Sequence, residues 1–114
     1  MKMARVILFT GQMEEMSRFY GVVLGLKLVS SEKGWQEFSA GSANIALHSS
    51  PSSPGRKGPG RKEPKIVFHA TDVAALREKL VARGAVFGKV REGEMFCLCD
   101  GKDPDGNPIQ LSNR

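Results

Sequence analysis

The stretch Asp103-Pro104-Asp105-Gly106-Asn107 runs directly into Pro108-Ile109-Gln110-Leu111 near the end of the chain. A Pro-Asp-Gly sequence before an apolar-polar alternation predicts a tight turn that leads into a final β-strand. The proline presets φ, the second aspartate can accept a hydrogen bond from its own backbone, and the glycine tolerates a positive φ. The turn therefore fixes where the last strand begins, and with it the face of the sheet on which Gln110 lies.

Length and composition are those of one ordinary globular domain. The chain has 114 residues and a mass of 12.4 kDa, with 40% hydrophobic and 25% charged residues. No run approaches the roughly 18 to 20 apolar residues of a membrane span, and the first residues show no signal-peptide cleavage pattern. We therefore expect a cytoplasmic protein that does not associate with a membrane.

The positive net charge is concentrated in one segment. The formal charge is +5, and Arg56, Lys57, Arg61 and Lys62 all fall within the Pro/Gly/Ser-rich residues 49–62. Nucleic-acid binding needs cations on a rigid surface, with aromatic side chains where bases are stacked. This segment offers neither, so we predict that the protein binds no nucleic acid.

Apolar periodicity predicts the same succession of elements twice. A strand, a helix and three strands are predicted within residues 4–48, and the same order returns within residues 64–113. The intervening segment 49–62 is expected to be a linker loop. Residues 7–13 resemble residues 67–73, which indicates two copies of one βαβββ module. The predicted fold class is α+β.

The two helices have recognisable ends. The first is predicted from Met13, with apolar residues at spacings of three and four, until Gly25 stops it. The second follows a cap at Thr71 or Asp72 and closes at Gly84, in the position that favours a left-handed glycine.

At this point the sequence resembles the vicinal oxygen chelate superfamily, which includes glyoxalase I, bleomycin-resistance proteins, fosfomycin-resistance enzymes and extradiol dioxygenases. The resemblance implies that both modules form a curved mixed sheet, with helices on its convex side and a ligand cleft on its concave face. It is carried by short motifs in the same order and at similar spacing: 16–20, 23–26, 71–73, Leu80, 83–85 and, most strongly, 103–107.

The resemblance also implies where metal-dependent members hold their ion, on the first strand and near the end of each module. These positions fall on Arg5, Ile66 (or Lys65 after a shift of one residue), Gln110, and either His48 or Ala46. Divalent ions prefer carboxylates, thiolates and neutral imidazoles. We therefore expect no metal and no other cofactor.

Seven residues are candidates for lining the cleft: Arg5, Trp35, His48, Phe68, Cys97, Cys99 and Gln110. Arg5 is either a group that recognises anions or an exposed residue at a strand start. His48 is either a hydrogen-bonding group in the cleft or an exposed strand end. The two cysteines share a strand face, and they are either core thiols or part of the cleft.

The expected function is metal-free binding of a small organic ligand by a homodimer. The alternative is a metal-dependent lyase of the glyoxalase I type or an extradiol-type dioxygenase, and a structural or regulatory relic of the fold is a third possibility. The basic composition makes a cationic ligand such as bleomycin a poor match.

Overall fold

The structure is a computed structural model that describes residues 3–50 and 64–114. The chain divides into two compact units, Met1–Arg56 (unit 1) and Lys57–Arg114 (unit 2). Within the described residues each unit contains one mixed β-sheet and one α-helix, which makes the fold α+β as predicted. Positions 51–62 of the predicted linker, with its four basic residues, lie outside the described residues.

Unit 1 contains a four-stranded sheet. Its elements are β1 (Arg5–Thr10), α1 (Met13–Arg18), β2 (Lys27–Glu32), β3 (Trp35–Ser39) and β4 (Asn44–Ser49). The strand order is β1-β4-β3-β2, with β1 parallel to β4 and the other pairs antiparallel. The first strand of the module therefore pairs with the last.

The core of unit 1 lies between the helix and one face of this sheet. Met16 and Tyr20 are completely buried, and Leu47 on the central strand β4 is equally inaccessible. The helical spacing of four residues puts Met16 and Tyr20 on one side of the helix. Burial of such side chains supplies about 1.5–3 kcal/mol each, so this layer is the main source of the unit's stability.

The first helix is less regular than predicted. Its α-helical part ends at Arg18, and Phe19–Val23 continue as one π-helical turn in which Leu24 N donates to Phe19 O at 2.9 Å. Gly25 then ends the helix with φ 76°, as the sequence indicates. A Cβ on Gly21 would lie 3.0 Å from Phe38 Cε1. The glycine therefore lets the π-helical turn approach the sheet closely.

Unit 2 repeats this topology with one interruption. Its elements are β5 (Ile66–His69), α2 (Val73–Ala82), β6 (Val86–Phe87), β7 (Arg91–Glu92), β8 (Cys97–Lys102) and β9 (Pro108–Ser112). The short strands β6 and β7 both pair with β8, and together they take the place that β2 has in unit 1. β5 is parallel to β9, as β1 is to β4.

The ends of α2 agree with the sequence. Asp72 is the N-cap residue, because its Oδ1 accepts a hydrogen bond of 3.0 Å from Ala75 N. Gly84 has φ 104°, and its N–H donates to Val81 O. Val73 and Leu80 are the buried residues of the helix.

The final turn is organised by Asp103 rather than by Asp105. Asp103 Oδ1 accepts hydrogen bonds of 2.9 Å from both Asp105 N and Asn107 N, and its Oδ2 accepts one of 2.7 Å from Asn107 Nδ2. Gly106 takes a φ of 85°, as expected. Asp103 is only 5% exposed, so a nearly buried carboxylate holds the turn closed before β9 begins.

Neither α-helix among the described residues combines the length and apolar character needed to cross a bilayer.

Candidate functional site

In each unit the sheet has one face toward the helix and one face away from it, which we call the open face. The pairing register assigns side chains to these faces, because laterally paired residues point to the same side. In unit 1 the open face consists of three rows across β1, β4 and β3: Arg5–Asn44–Ser39, Ile7–Ala46–Glu37 and Phe9–His48–Trp35.

Polar side chains on the open face of unit 1 form a cluster around Glu37. Glu37 Oε2 accepts a hydrogen bond of 2.7 Å from Asn44 Nδ2 and one of 3.0 Å from Arg5 Nε. These hydrogen bonds, from Asn44 and then Arg5, lower the pKa of the Glu37 carboxyl from its ordinary value. Glu37 is therefore an anion at neutral pH, with an amide and a guanidinium bound to the same oxygen.

Unit 2 contains an equivalent cluster around Asp100. Asp100 Oδ1 accepts a hydrogen bond of 2.8 Å from Gln110 Nε2 and one of 2.9 Å from Lys65 Nζ. Arg91 Nη2 lies 2.6 Å from the other carboxylate oxygen. The hydrogen bond from Gln110, and then the one from Lys65, lower the pKa of Asp100.

The two clusters correspond in the carboxylate and in the cation, whereas their amide donors, Asn44 and Gln110, occupy different rows of the sheet. Ile7, Ala46 and Glu37 are register partners in unit 1, and Val67, Gln110 and Asp100 are register partners in unit 2. Arg5 and Lys65 each lie two residues before the first member of that row. In both units a cation by the first strand reaches across the central strand to a carboxylate on the third strand.

A pocket of approximately 490 Å³ lies on the open face of unit 2. Apolar and polar side chains line it in equal number: Val67, Phe96, Leu98, Gln110, Ser112 and Arg114. The Arg114 guanidinium carbon is 5.8 Å from the centroid of the Phe96 ring, within cation–π distance. The pocket thus joins an apolar wall to a guanidinium and a side-chain amide.

The structure separates the predicted cleft residues into two groups. Arg5, Trp35, His48 and Gln110 lie on open faces. Phe68 pairs with Leu111, and Cys99 pairs with Leu111 from the other side, which places both on the face that α2 covers. Cys97 has the same strand parity as Cys99. Phe68 therefore does not share a face with Gln110, and for the two cysteines the register favours the core alternative over the cleft.

The register also corrects the predicted orientation of the first strand of unit 2. The sequence analysis aligns Ile66 with Arg5, which would place Ile66 on the open face. In the structure Val67 pairs with Gln110 and His69 pairs with Ser112, so both lie on the open face. The strand Ile66–His69 is apolar at three of four positions, and its pattern therefore does not reveal which side is covered.

Sequence reasoning missed both carboxylates. Glu37 lies within Trp35–Ser39, and Asp100 alternates with Cys99 and Gly101 in β8. A charged residue in the interior of a strand is a signal for the open face. The cations that bind these carboxylates could not be identified from the sequence. Arg5 lies 32 residues from Glu37, and Lys65 lies 35 residues from Asp100.

The residues at the expected ligand positions do not fit a divalent metal ion. Arg5 and Lys65 are cations, and Gln110 uses its amide nitrogen to bind Asp100. Ile66 and Ala46 have no donor atom in their side chains, which leaves His48 as the one usual metal ligand among these positions. The two carboxylates nearby are already bound to cations. Within residues 3–50 and 64–114, no three His, Cys, Asp or Glu side chains are grouped so that they could hold an ion.

Several solved structures share this fold. SMU.1112c superposes with a TM-score of 0.85 at 20% identity, covering 98% of each chain. Lactoylglutathione lyase from Agrobacterium tumefaciens gives 0.76 at 17% identity, covering 96% of this chain and 91% of its own. A glyoxalase/bleomycin resistance protein/dioxygenase from Nocardioides gives 0.79 at 18% identity, covering 98% and 82%. At these identities the likeness concerns the fold alone.

No curated protein matches the sequence significantly. One family model does, over residues 2–111, and its description is Glyoxalase/Bleomycin resistance protein/Dioxygenase superfamily.

Proposed function

The chain belongs to the Glyoxalase/Bleomycin resistance protein/Dioxygenase superfamily, and on that basis we propose that it binds a small organic ligand without a metal ion. One observation carries the proposal. The superfamily resemblance places metal ligands at Arg5, at Gln110, at Ile66 or Lys65, and at His48 or Ala46. Of these, Arg5, Lys65 and Gln110 are bound to Glu37 or Asp100.

The two clusters would stabilise the open faces in place of an ion. A carboxylate that accepts hydrogen bonds from an amide and from a cation has its negative charge balanced by these partners. The lowered pKa values of Glu37 and Asp100 have this same cause. At Glu37 Oε2 and at Asp100 Oδ1 a metal would compete with Arg5 and Lys65, which already bind these oxygens.

The pocket on unit 2 is the proposed binding site. Its volume, approximately 490 Å³, lies in the range of about 300–1,000 Å³ that is usual for small-molecule sites. Phe96 and Leu98 would contact an apolar or aromatic body, while Arg114 would bind an anionic group by a charge-assisted hydrogen bond. The expected ligand is therefore an amphipathic organic acid.

The test is a thermal-shift and calorimetric comparison in the presence of a metal chelator. Phenylacetate and 2-naphthoate are the anionic probes, and benzyl alcohol is the uncharged control. We expect the acids to bind and Arg114→Gln to weaken them by about tenfold or more, since hydrogen bonds to charged groups contribute about 1.5–3 kcal/mol. Lys79→Gln, which removes an exposed cation from α2, should leave their affinity unchanged.

Two results would overturn the proposal. Elemental analysis of the purified protein could detect stoichiometric nickel, zinc, iron or manganese, which would favour a metal-dependent lyase or dioxygenase. Stabilisation by metal salts alone, with none by organic acids, would favour the same alternative.

We also propose that the protein is a homodimer in the cytoplasm. The edge strand β2 exposes Leu28 and Val29, each to nearly half of its maximum, and apolar side chains on an exposed edge favour association. Both cysteines are free thiols, which is typical of a reducing compartment. Light scattering would measure the mass of the assembly, and a monomer at micromolar concentration would refute the dimer.

A further inference from the structure

Three aromatic side chains form one row on the open face of unit 1. Phe9 and Trp35 are the register partners of His48 on its two sides, in β1 and β3. The centroid of the imidazole is 5.4 Å from that of Phe9 and 5.9 Å from that of Trp35. The imidazole therefore lies between two aromatic rings.

The row is accessible to solvent. Phe9 is 56% exposed and Ile7, in the neighbouring row, is 41% exposed; His48 is also exposed. An aromatic side chain that stays exposed to water adds no burial energy to the folded state. Grouped exposed apolar side chains usually mark a binding surface. The row thus offers aromatic contact area around one polar atom.

The hydrogen bond of His48 determines which ring nitrogen can accept another. His48 Nδ1 lies 2.8 Å from the carbonyl oxygen of Ser49. A carbonyl oxygen only accepts, so Nδ1 carries the hydrogen and donates it. In the neutral imidazole the proton is then absent from Nε2, which becomes a hydrogen-bond acceptor. Within the described parts of the chain, no hydrogen bond involves Nε2.

From this geometry we propose that the row Phe9–His48–Trp35 binds a planar aromatic molecule through an O–H or N–H group that donates to His48 Nε2. The ligand ring contacts the phenyl and indole rings, and the donor group decides which aromatic compounds are accepted. The inference rests on the proposed function in one respect, that the ligand is a small organic molecule. It involves none of the residues that line the pocket on unit 2.

The chain contains a single tryptophan, Trp35, so its fluorescence reports this row directly. The test uses 4-chlorophenol and its methyl ether 4-chloroanisole, which have the same ring but differ in the donor. The measurement is made at about pH 8, because the proposal concerns the neutral imidazole. We expect the phenol to bind about three- to tenfold more tightly than the ether, as one hydrogen bond allows. Long-range ¹H–¹⁵N NMR should show the phenol shifting the Nε2 resonance.

Matched variants distinguish the acceptor from the aromatic surface. His48→Phe keeps a ring and removes the acceptor, so both probes should bind with equal affinity. Phe9→Leu should weaken both probes, and His69→Phe, which changes the other histidine of the chain, should change neither.

Equal affinity for phenol and ether in the unaltered protein would overturn the proposal, and so would the absence of any Trp35 response to both. If organic acids do not bind at Arg114 but 4-chlorophenol binds at His48 as expected, the pocket on unit 2 is refuted and the site at Phe9–His48–Trp35 is supported. The reverse pattern would refute this site alone.

Discussion

Arg5 Nε lies 3.0 Å from Glu37 Oε2, although β1 and β3 are not neighbours in the sheet. The arginine side chain reaches across β4, where Asn44 binds the same carboxylate oxygen. Lys65 crosses β9 to Asp100 in the same way, and Gln110 binds the shared oxygen. A cation on one side of the central strand thus binds a carboxylate on the other side in both units, although their sequences differ.

The first prediction concerns acid stability. The pKa values of Glu37 and Asp100 are lowered in the folded protein, so the unfolded chain binds more protons as the pH falls. Their stabilising contribution is complete above the ordinary carboxyl pKa of about 4 and is lost as the pH drops through the lowered values. The double variant Glu37→Gln/Asp100→Asn should therefore lose less of its free energy of unfolding between neutral and acidic pH than the unaltered protein.

Urea unfolding at a series of pH values measures this difference. Glu14→Gln, which alters an exposed carboxyl in the first turn of α1, serves as the control and should follow the unaltered protein. Parallel curves for the double variant and the unaltered protein would show that the clusters do not contribute.

The second prediction concerns the turn before β9. Asp103→Ala removes the acceptor of three hydrogen bonds at a nearly buried position. We expect the free energy of unfolding to fall by about 2–4 kcal/mol, because backbone donors lose a charged partner. Chemical denaturation gives the value. Asp103→Asn keeps one oxygen and should cost less, so an equal loss in both variants would contradict this account.

The third prediction concerns thiol reactivity. Cys99 is completely buried, and burial raises the pKa of its thiol, whereas Cys97 is partly accessible. Thiolate is the reactive form. Native protein should therefore react with iodoacetamide at Cys97 only, and Cys99 should react after unfolding. Peptide mass spectrometry identifies the labelled residue, Cys97→Ser is the control, and rapid native labelling of Cys99 would refute its placement under α2.

The fourth prediction concerns the close contact of β8 with β6. A Cβ on Gly101 would lie 2.6 Å from Val86 O and 2.7 Å from Phe87 Cδ1. Gly101→Ala should destabilise the protein by about 1–3 kcal/mol through overpacking. Gly11→Ala meets only an ordinary contact of 3.6 Å and is the matched control. Equal melting temperatures for the two variants would contradict the prediction.

The sequence contained enough information for the elements, because turns and helix ends depend on local chemistry. Gly25, Gly84 and Gly106 have the positive φ values that their positions indicate. The family resemblance extended this to the whole fold. The resemblance did not show which face of β5 and β8 the helix covers. Ile66–His69 and Cys97–Cys99 carry apolar side chains on both faces, or nearly so, and their pattern does not distinguish the two.

The candidate site was accessible to sequence analysis only in part. Gln110 was placed correctly because Ile109 and Leu111 alternate with it, and both are buried. Its partner Asp100 was missed, and so was Glu37, because strand register brings residues together that are distant in the sequence. The tautomer of His48 depends on Ser49 O and on no sequence pattern.

The turn at Asp103 also has a consequence for the order of folding. The three hydrogen bonds that the Asp103 carboxylate accepts from Asp105 and Asn107 close within five residues, so the hairpin β8–β9 can form on the timescale of local structure, about 1–10 μs. The parallel pair β5–β9 joins Ile66 to Ile109 and must close a long loop first. We expect the hairpin to be formed in the folding transition state and the parallel pair to form later. Stopped-flow kinetics would then show Asp103→Asn slowing folding, whereas Val67→Ala in β5 would chiefly accelerate unfolding.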